Sequence, residues 1–285
     1  MGIELVAPRA GREPHREAKA QRRMNMAPLH PFHWNVNPIL IQIGPLTVRW
    51  YGVFFAAAFL VGYWIMRGIY RREGADLASL DRLLLYMLLG AVLGARVGHV
   101  LFYDPHYYAA HPLEIVKIWE GGLASHGGTV GILVALHLFT RRAGGPPYLW
   151  LLDRVAIPTA LGGALIRMGN LFNSEIVGTP TSGWWGVVFD RVDSLPRHPV
   201  QLYEAVAYGL IFLALLSIYR HRAPTLRAGR LLGLFLLLVF SARVLLEFVK
   251  TPQADYEAGF VLTVGQLLSF PFILAGFGLI VRTRR

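Results

Sequence analysis

Arg167-Met168-Gly169-Asn170-Leu171-Phe172-Asn173-Ser174-Glu175 closes a run, residues 149–166, that is apolar and long enough to enter a bilayer. Lipid offers no hydrogen-bond partners, so an arginine, two carboxamides and a carboxylate at that depth are costly unless something pairs with them. The stretch therefore predicts a membrane-spanning helix with a polar site at its end, and a substrate as the missing partner.

The rest of the chain shares this character. Its 285 residues are 54% hydrophobic and 16% charged, and the mean hydropathy is +0.45, which excludes an ordinary soluble domain. Seven apolar windows, at residues 50–66, 83–103, 121–139, 149–166, 202–218, 231–249 and 260–281, approach the ~20 residues that a bilayer requires. The expected fold is an all-α polytopic membrane protein with seven transmembrane helices, several Gly-rich and suited to close packing. Connectors 67–82, 140–154, 219–230 and 282–285 hold 14 Arg, against 5 Lys or Arg in 104–120, 167–201 and 250–259. The Arg-rich side is expected in the cytoplasm. The start of the first span then faces out and the carboxyl terminus in, and the 35-residue connector supplies a small periplasmic head at residues 170–200.

Residues 1–29 read as a basic amino-terminal extension ahead of a transmembrane domain over residues 30–285. Residues 1–23 carry six basic side chains, lack the apolar core of a signal peptide, and would lie outside against the charge rule. Met24 and Met26 stand just before Pro31-Phe32-His33-Trp34, so translation is expected to begin there, with the preceding residues an artefact or a disordered tail.

The net charge of +11 comes from 25 Arg and 3 Lys. Arginine's planar fork suits phosphate, whereas loop arginines also serve membrane orientation; nucleic acid is not an expected partner. The chain has no cysteine, so disulfides, thiolate metal sites and a cysteine nucleophile are excluded, and any thiol must arrive on a partner. No metal cluster or nucleotide loop is visible, and no cofactor is expected.

With orientation fixed, polar residues converge on the outer ends of all seven spans: Arg49 and Tyr51; Arg96, His99 and Tyr103; His126; Arg167 to Glu175; Arg197 to Glu204; Arg243, Glu247 and Lys250; and Gln266. Scattered structural polar groups would show no such bias. Arg243, Glu247 and Lys250 share a helix face, either as site residues or as an ion pair clamping helices. Arg96 inside a span wants a carboxylate or a phosphate. His126 lies among glycines in Gly121-Gly122-Leu123-Ala124-Ser125-His126-Gly127-Gly128, where a general base is as plausible as a structural imidazole. Ser125 lacks the GxSxG elbow of a serine hydrolase. Tyr51 reads by default as an interfacial aromatic, and Trp50 as a membrane anchor. Arg167 and Asn170 share a face if the helix persists, and Gly169 and Gly178 predict a turn with exposed amides.

These residues resemble the bacterial phosphatidylglycerol:prolipoprotein diacylglyceryl transferases over roughly residues 30–281. The signature GRxGNFxNxE followed by glycine corresponds to Ile166-Arg167-Met168-Gly169-Asn170-Leu171-Phe172-Asn173-Ser174-Glu175 with Gly178. Further matches are Arg49-Trp50-Tyr51-Gly52, Gly94-Ala95-Arg96-Val97-Gly98, His126-Gly127-Gly128, His198-Pro199-Val200-Gln201-Leu202-Tyr203-Glu204, Arg243 with Glu247, and Gly265-Gln266-Leu267-Leu268-Ser269-Phe270-Pro271. Ile166, Leu171 and His99 depart from the pattern.

The resemblance implies transfer of diacylglyceryl from phosphatidylglycerol to the lipobox cysteine of a preprolipoprotein, in the bacterial inner membrane with the site toward the outer leaflet. It implies catalytic roles for His126, Tyr51, Arg167, Asn170, Glu175, Arg243 and Glu247. It also implies lipid binding by Arg167, Arg243, Arg96, Asn170, Asn173 and Gly178. Arg167 and Arg243 would grip the head group, Glu247 would orient Arg243, and either His126 or Tyr51 would activate the thiol. A transporter would need more polar groups toward the inner side, where the sequence shows few. A scaffold binding anionic lipid without turnover is the third reading.

Overall fold

The computed structural model describes residues 31–44, 46–142, 145–251 and 262–283, so the expected extension over residues 1–29 lies outside the described residues. Strand β1 (Phe32–Trp34) and the hairpin β2 (Ile39–Ile43) and β3 (Leu46–Arg49) lead into α1 (Trp50–Glu73), α2 (Leu77–Phe102), the short α3 (Pro105–Ala110), α4 (Ser125–Arg142) and α5 (Tyr148–Asn173). Strands β4 (Val187–Phe189) and β5 (Pro196–Arg197) precede α6 (Val200–Arg222), α7 (Arg230–Glu247) and α8 (Val264–Arg282).

Each apolar window falls on a long helix. Among the described residues five helices, α1, α2, α5, α6 and α8, are long and apolar enough to cross a bilayer, so the chain is a polytopic helical membrane protein. α4 opens on Ser125-His126 and closes on Arg141-Arg142, and α7 carries Arg230, Arg243 and Glu247; these polar groups set the two apart from the other five.

Helix ends follow local chemistry. Arg71 and Arg72 extend α1 beyond its apolar window, where cations suit the negative end of the helix dipole, and Gly74 at φ 66° closes it. Asp76 caps α2 by accepting from the Ala78 amide at 2.9 Å. Thr263 and Gln266 form a reciprocal capping box on α8.

The helices pack as two units. α2 and α4 meet through Gly90, Gly94 and Gly98 against Gly127 and Gly131, so closely that a Cβ on Gly94 would lie 2.5 Å from the Gly127 carbonyl oxygen and 2.7 Å from Gly131 Cα. Only glycine permits that approach. In the second unit α1 and α6 both pack on α5, and α7 joins α8 to α5 and α6, while contacts between the units, α1 with α2 and α4 with α5, are sparser. The densest core joins both units at the end remote from Arg167, around Tyr70, Leu80, Phe139, Leu151, Leu215 and Leu231.

At the Arg167 end, β1 pairs parallel with β4, which pairs antiparallel with β5. Trp34 pins this sheet to the helix by donating Nε1–H to the Leu171 carbonyl at 2.9 Å. The segment after α5 is stitched to the end of α7 by Thr179 N–H to Val249 O (2.9 Å) and Thr251 N–H to Val177 O (3.2 Å).

Candidate active site

The polar run that opened the sequence analysis stays helical through Asn173, and Ser174 then turns the chain with φ 57°. Arg167 and Asn170 consequently do share a face: Arg167 Nη1 donates to Asn170 Oδ1 at 3.0 Å. Asn170 Nδ2 donates onward to Glu175 Oε2 and Asn173 Nδ2 to Glu175 Oε1, both at 3.1 Å. Gln201 on α6 donates to the Glu175 carbonyl at 2.6 Å. Tyr51 joins this group through Gly169, on which a Cβ would lie 2.8 Å from Tyr51 Cδ2. Its hydroxyl lies within electrostatic range of Glu175 and Arg167.

A second layer supports the first. Arg167 Nε is 2.9 Å from Glu204 Oε2, and Lys250 Nζ donates to Glu204 Oε1 and Glu247 Oε2 at 3.1 Å each. The resulting chain, Arg167–Glu204–Lys250–Glu247, clamps α5, α6 and α7 together. Glu247 thus pairs with Lys250 rather than orienting Arg243, which is the structural alternative that the shared helix face left open. Arg243 is half-buried, makes no ion pair among the described residues, and lies within electrostatic range of Tyr208, as does Arg167. Glu204 Oε2 meets Arg167 as an ion pair without forming a hydrogen bond, and Asn173 Oδ1, Ser174 Oγ and Gln201 Oε1 are buried with no hydrogen-bond partner among the described residues.

Gly178 is buried, forms a bridge with Lys250, and accepts from Arg197 Nη1 through its carbonyl at 3.0 Å. Arg197 also binds Asp193, with two contacts of 3.1 Å and a third shorter one. That guanidinium holds the Asp193 carboxyl below the ordinary carboxylate range, and the carboxylate raises Arg197 in return.

The structure separates two predicted residues from this cluster, because both belong to the α2/α4 unit. Arg96 is buried, and carbonyl oxygens of the loop before α4 take its N–H groups: Glu114 (2.5 Å), Ile115 (2.8 Å), Gly121 (2.8 Å) and Gly122 (3.1 Å). Its guanidinium also lies 5.0 Å from the Tyr108 ring centre. Backbone thus supplies what a carboxylate or phosphate was expected to give. His126 is exposed in the first turn of α4 and makes no hydrogen bond among the described residues.

An apolar cavity of about 270 Å3 runs along the seam between the two units. Phe59, Met66, Leu83, Ile132 and Pro158 line it, and it reaches Ile166, the residue before Arg167. A family profile described as "Prolipoprotein diacylglyceryl transferase" matches residues 38–282.

The chain belongs to that family.

Similar members are named "Phosphatidylglycerol--prolipoprotein diacylglyceryl transferase". The one from Tolumonas auensis is 57% identical over 87% of this chain and 96% of its own. That from Chloroherpeton thalassium is 50% identical over 88% and 93%, and that from Porphyromonas gingivalis 42% over 87% and 93%. The family match spans the helix end and turn where Arg167, Asn170, Asn173 and Glu175 meet. Gln201 and Lys250 belong to the polar span ends that converge in sequence, where neither carries a role of its own. Their places follow from pairings with Glu175 and Glu204, which lie 26 and 46 residues away.

Proposed function

We propose that this chain transfers the diacylglyceryl group of phosphatidylglycerol to the lipobox cysteine of preprolipoproteins, forming a thioether and releasing glycerol phosphate, the first step of bacterial lipoprotein maturation. It acts in the bacterial inner membrane, with α4 and α7 crossing beside the five more apolar helices. The carboxyl terminus is cytoplasmic, and the Arg167 end, with its head of residues 170–200, faces the outer leaflet. The uneven distribution of arginine among the connectors supports this orientation.

The reaction joins the cysteine sulfur to the glyceryl carbon bearing the phosphate ester. The carbon–oxygen bond breaks, its electron pair leaves on glycerol phosphate, and the thiol proton passes through a base to the leaving phosphate or solvent. Such a displacement needs fixed positive charge at the phosphate. Arg167, oriented by Glu204, and Arg243, with no anion of its own among the described residues, supply it. Two observations carry this reading: Arg243 has no ion pair among the described residues, and at the Arg167 end two buried acceptors, Asn173 Oδ1 and Gln201 Oε1, lack a donor among those residues. An anion and a set of hydroxyl donors complete the site, as a phosphoglycerol head group would. Asn170 and Glu175 serve the same hydroxyls, and the turn at Gly178 keeps Glu175 in place. An acyl chain occupies the apolar seam ending at Ile166.

A thiol of pKa about 8.5 is only a few per cent thiolate at neutral pH, so a base accelerates the step. Tyr51 lies in the field of Arg167 and Glu175, while His126 is exposed to an arriving peptide; both remain candidates. Arg96 acts as a positioning residue for the loop leading to His126. The test is mass spectrometry of a lipobox peptide incubated with the purified protein and phosphatidylglycerol. A diacylglyceryl adduct on cysteine supports the reading, and its absence with folded protein sinks it.

A further inference from the structure

At the end of the bundle remote from Arg167, α1 and α6 line a groove of about 390 Å3. Its α1 wall is Val61, Trp64, Ile65, Gly68, Ile69 and Arg72, one face of a helix at the spacing i, i+3, i+4, i+7, i+8 and i+11. Its α6 wall is Leu216, Tyr219 and Arg220. The groove is apolar along its length and cationic at its mouth. Arg72 Nη2 donates to the Arg220 carbonyl at 2.8 Å, and the Arg72 guanidinium lies 5.5 Å from the Tyr219 ring centre, which holds it across the opening. A Cβ on Gly68 would meet nothing within 4 Å, so the groove floor is open there.

Neither arginine at the mouth has a carboxylate partner among the described residues. Glu73, the neighbour of Arg72, is taken by Arg154 Nη2 (2.9 Å), Arg154 Nε (3.1 Å) and Trp150 Nε1 (2.9 Å). Orientation rules account for arginines at this end of the helices, but not for an apolar channel beneath two of them. Trp64 in the α1 wall is 61% exposed, with the Arg67 guanidinium 5.3 Å from its ring centre.

We propose that this groove binds one anionic phospholipid from the leaflet opposite the reaction site, with its phosphate between Arg72 and Arg220 and an acyl chain along Val61, Ile65, Gly68 and Leu216. The site is separate from the transfer site: α1 is 24 residues long, about 36 Å at 1.5 Å per residue, with Tyr51 at one end and Arg72 at the other. This second lipid is a bound component and does not react. The inference relies on the proposed function only for which leaflet is opposite.

The test uses the full chain in phosphatidylcholine nanodiscs carrying a few per cent of a phosphatidylglycerol with a diazirine in its acyl chain, followed by proteolysis and mass spectrometry. Crosslinks are expected on residues 61–69 and 216–220, and weakly or not at all when the diazirine lipid is a phosphatidylcholine. Arg72→Gln with Arg220→Gln should lower that yield at least about tenfold, and Gly68→Leu should lower it by filling the channel. Crosslinks at the Arg167 end serve as the folding control and should persist in both variants. Equal labelling by the zwitterionic lipid, or labelling unchanged in the double variant, overturns the site. Loss of labelling to millimolar inorganic phosphate also overturns it, since that marks a site for a free anion.

Discussion

Arg167 Nε lies 2.9 Å from Glu204 Oε2, and the Glu204 side chain is wholly buried. Glu204 also receives Lys250 at 3.1 Å, so one carboxylate keeps two cations from facing each other in a poorly hydrated interior. Glu204→Gln preserves shape and removes the charge. Breaking a buried pair this way typically costs about 3–5 kcal/mol, so a lower Tm in detergent and reduced turnover are expected. Adding Lys250→Met should recover part of the Tm but not the turnover, because Arg167 remains without its orienting partner.

His126 is exposed and makes no hydrogen bond among the described residues, so His126→Gln should leave the unfolding free energy within about 0.5 kcal/mol of wild type. Turnover of a lipobox peptide should nevertheless fall about 100-fold or more if imidazole takes the thiol proton. Full turnover in that variant moves the proton to Tyr51, and Tyr51→Phe, which keeps the ring against Gly169, should then carry the loss.

Gly94→Ala forces a methyl to within 2.5 Å of the Gly127 carbonyl oxygen, and overpacking of that kind costs about 1–3 kcal/mol. Gly209→Ala on α6, whose Cβ would meet nothing within 4 Å, should instead gain roughly 0.5–1 kcal/mol from the lower entropy of the unfolded chain. Thermal unfolding of the two variants in one detergent checks both signs.

Asp193, held low by Arg197, contributes stability that is complete above its unfolded pKa of about 3.9 and is lost as pH falls through its lower folded value. Amide exchange over residues 187–198, corrected for the intrinsic rate, should quicken as pH is taken below about 4. In Asp193→Asn that pH dependence should flatten.

Gly162 lines the apolar seam, and a Cβ there would make ordinary contact with Ala58 at 3.6 Å. Gly162→Leu therefore fits the helix packing while filling the seam. Phosphatidylglycerols with short acyl chains should gain over long ones in competition assays. A uniform loss across chain lengths would remove the seam from lipid recognition.

Much of this architecture was written in periodicity and charge. The windows at 50–66 and 202–218 name their helices correctly but stop early, because hydropathy falls from Arg67 to Arg72 and from Arg220 to Arg222 while the backbone has no reason to unwind there. The convergence of Tyr51, Arg167, Asn170 and Glu175 was legible because polar residues in an apolar span demand partners. Arg96 misled because carbonyl oxygens of a loop 18 to 26 residues downstream leave no mark in composition. Trp50, expected as a membrane anchor, packs on Phe172 with ring centres 4.9 Å apart. At the remote end, Asp153 and Arg154 are buried with Gly229 and Leu232 amides and Glu73 as partners. That buried cluster was invisible because its members fall in an apparent connector.

The seam along Phe59, Leu83, Ile132 and Pro158 has a mechanical meaning as well as a chemical one. His126 and Arg96 ride on the glycine-joined pair α2 and α4, while Arg167 and Glu204 ride on the bundle around α5. A hydrocarbon chain lying in the seam touches both bodies and fills a void whose lining otherwise lacks contacts. If the seam holds the acyl chain as proposed, the lipid to be consumed is mortar between two halves of the enzyme, and each turnover removes and replaces it.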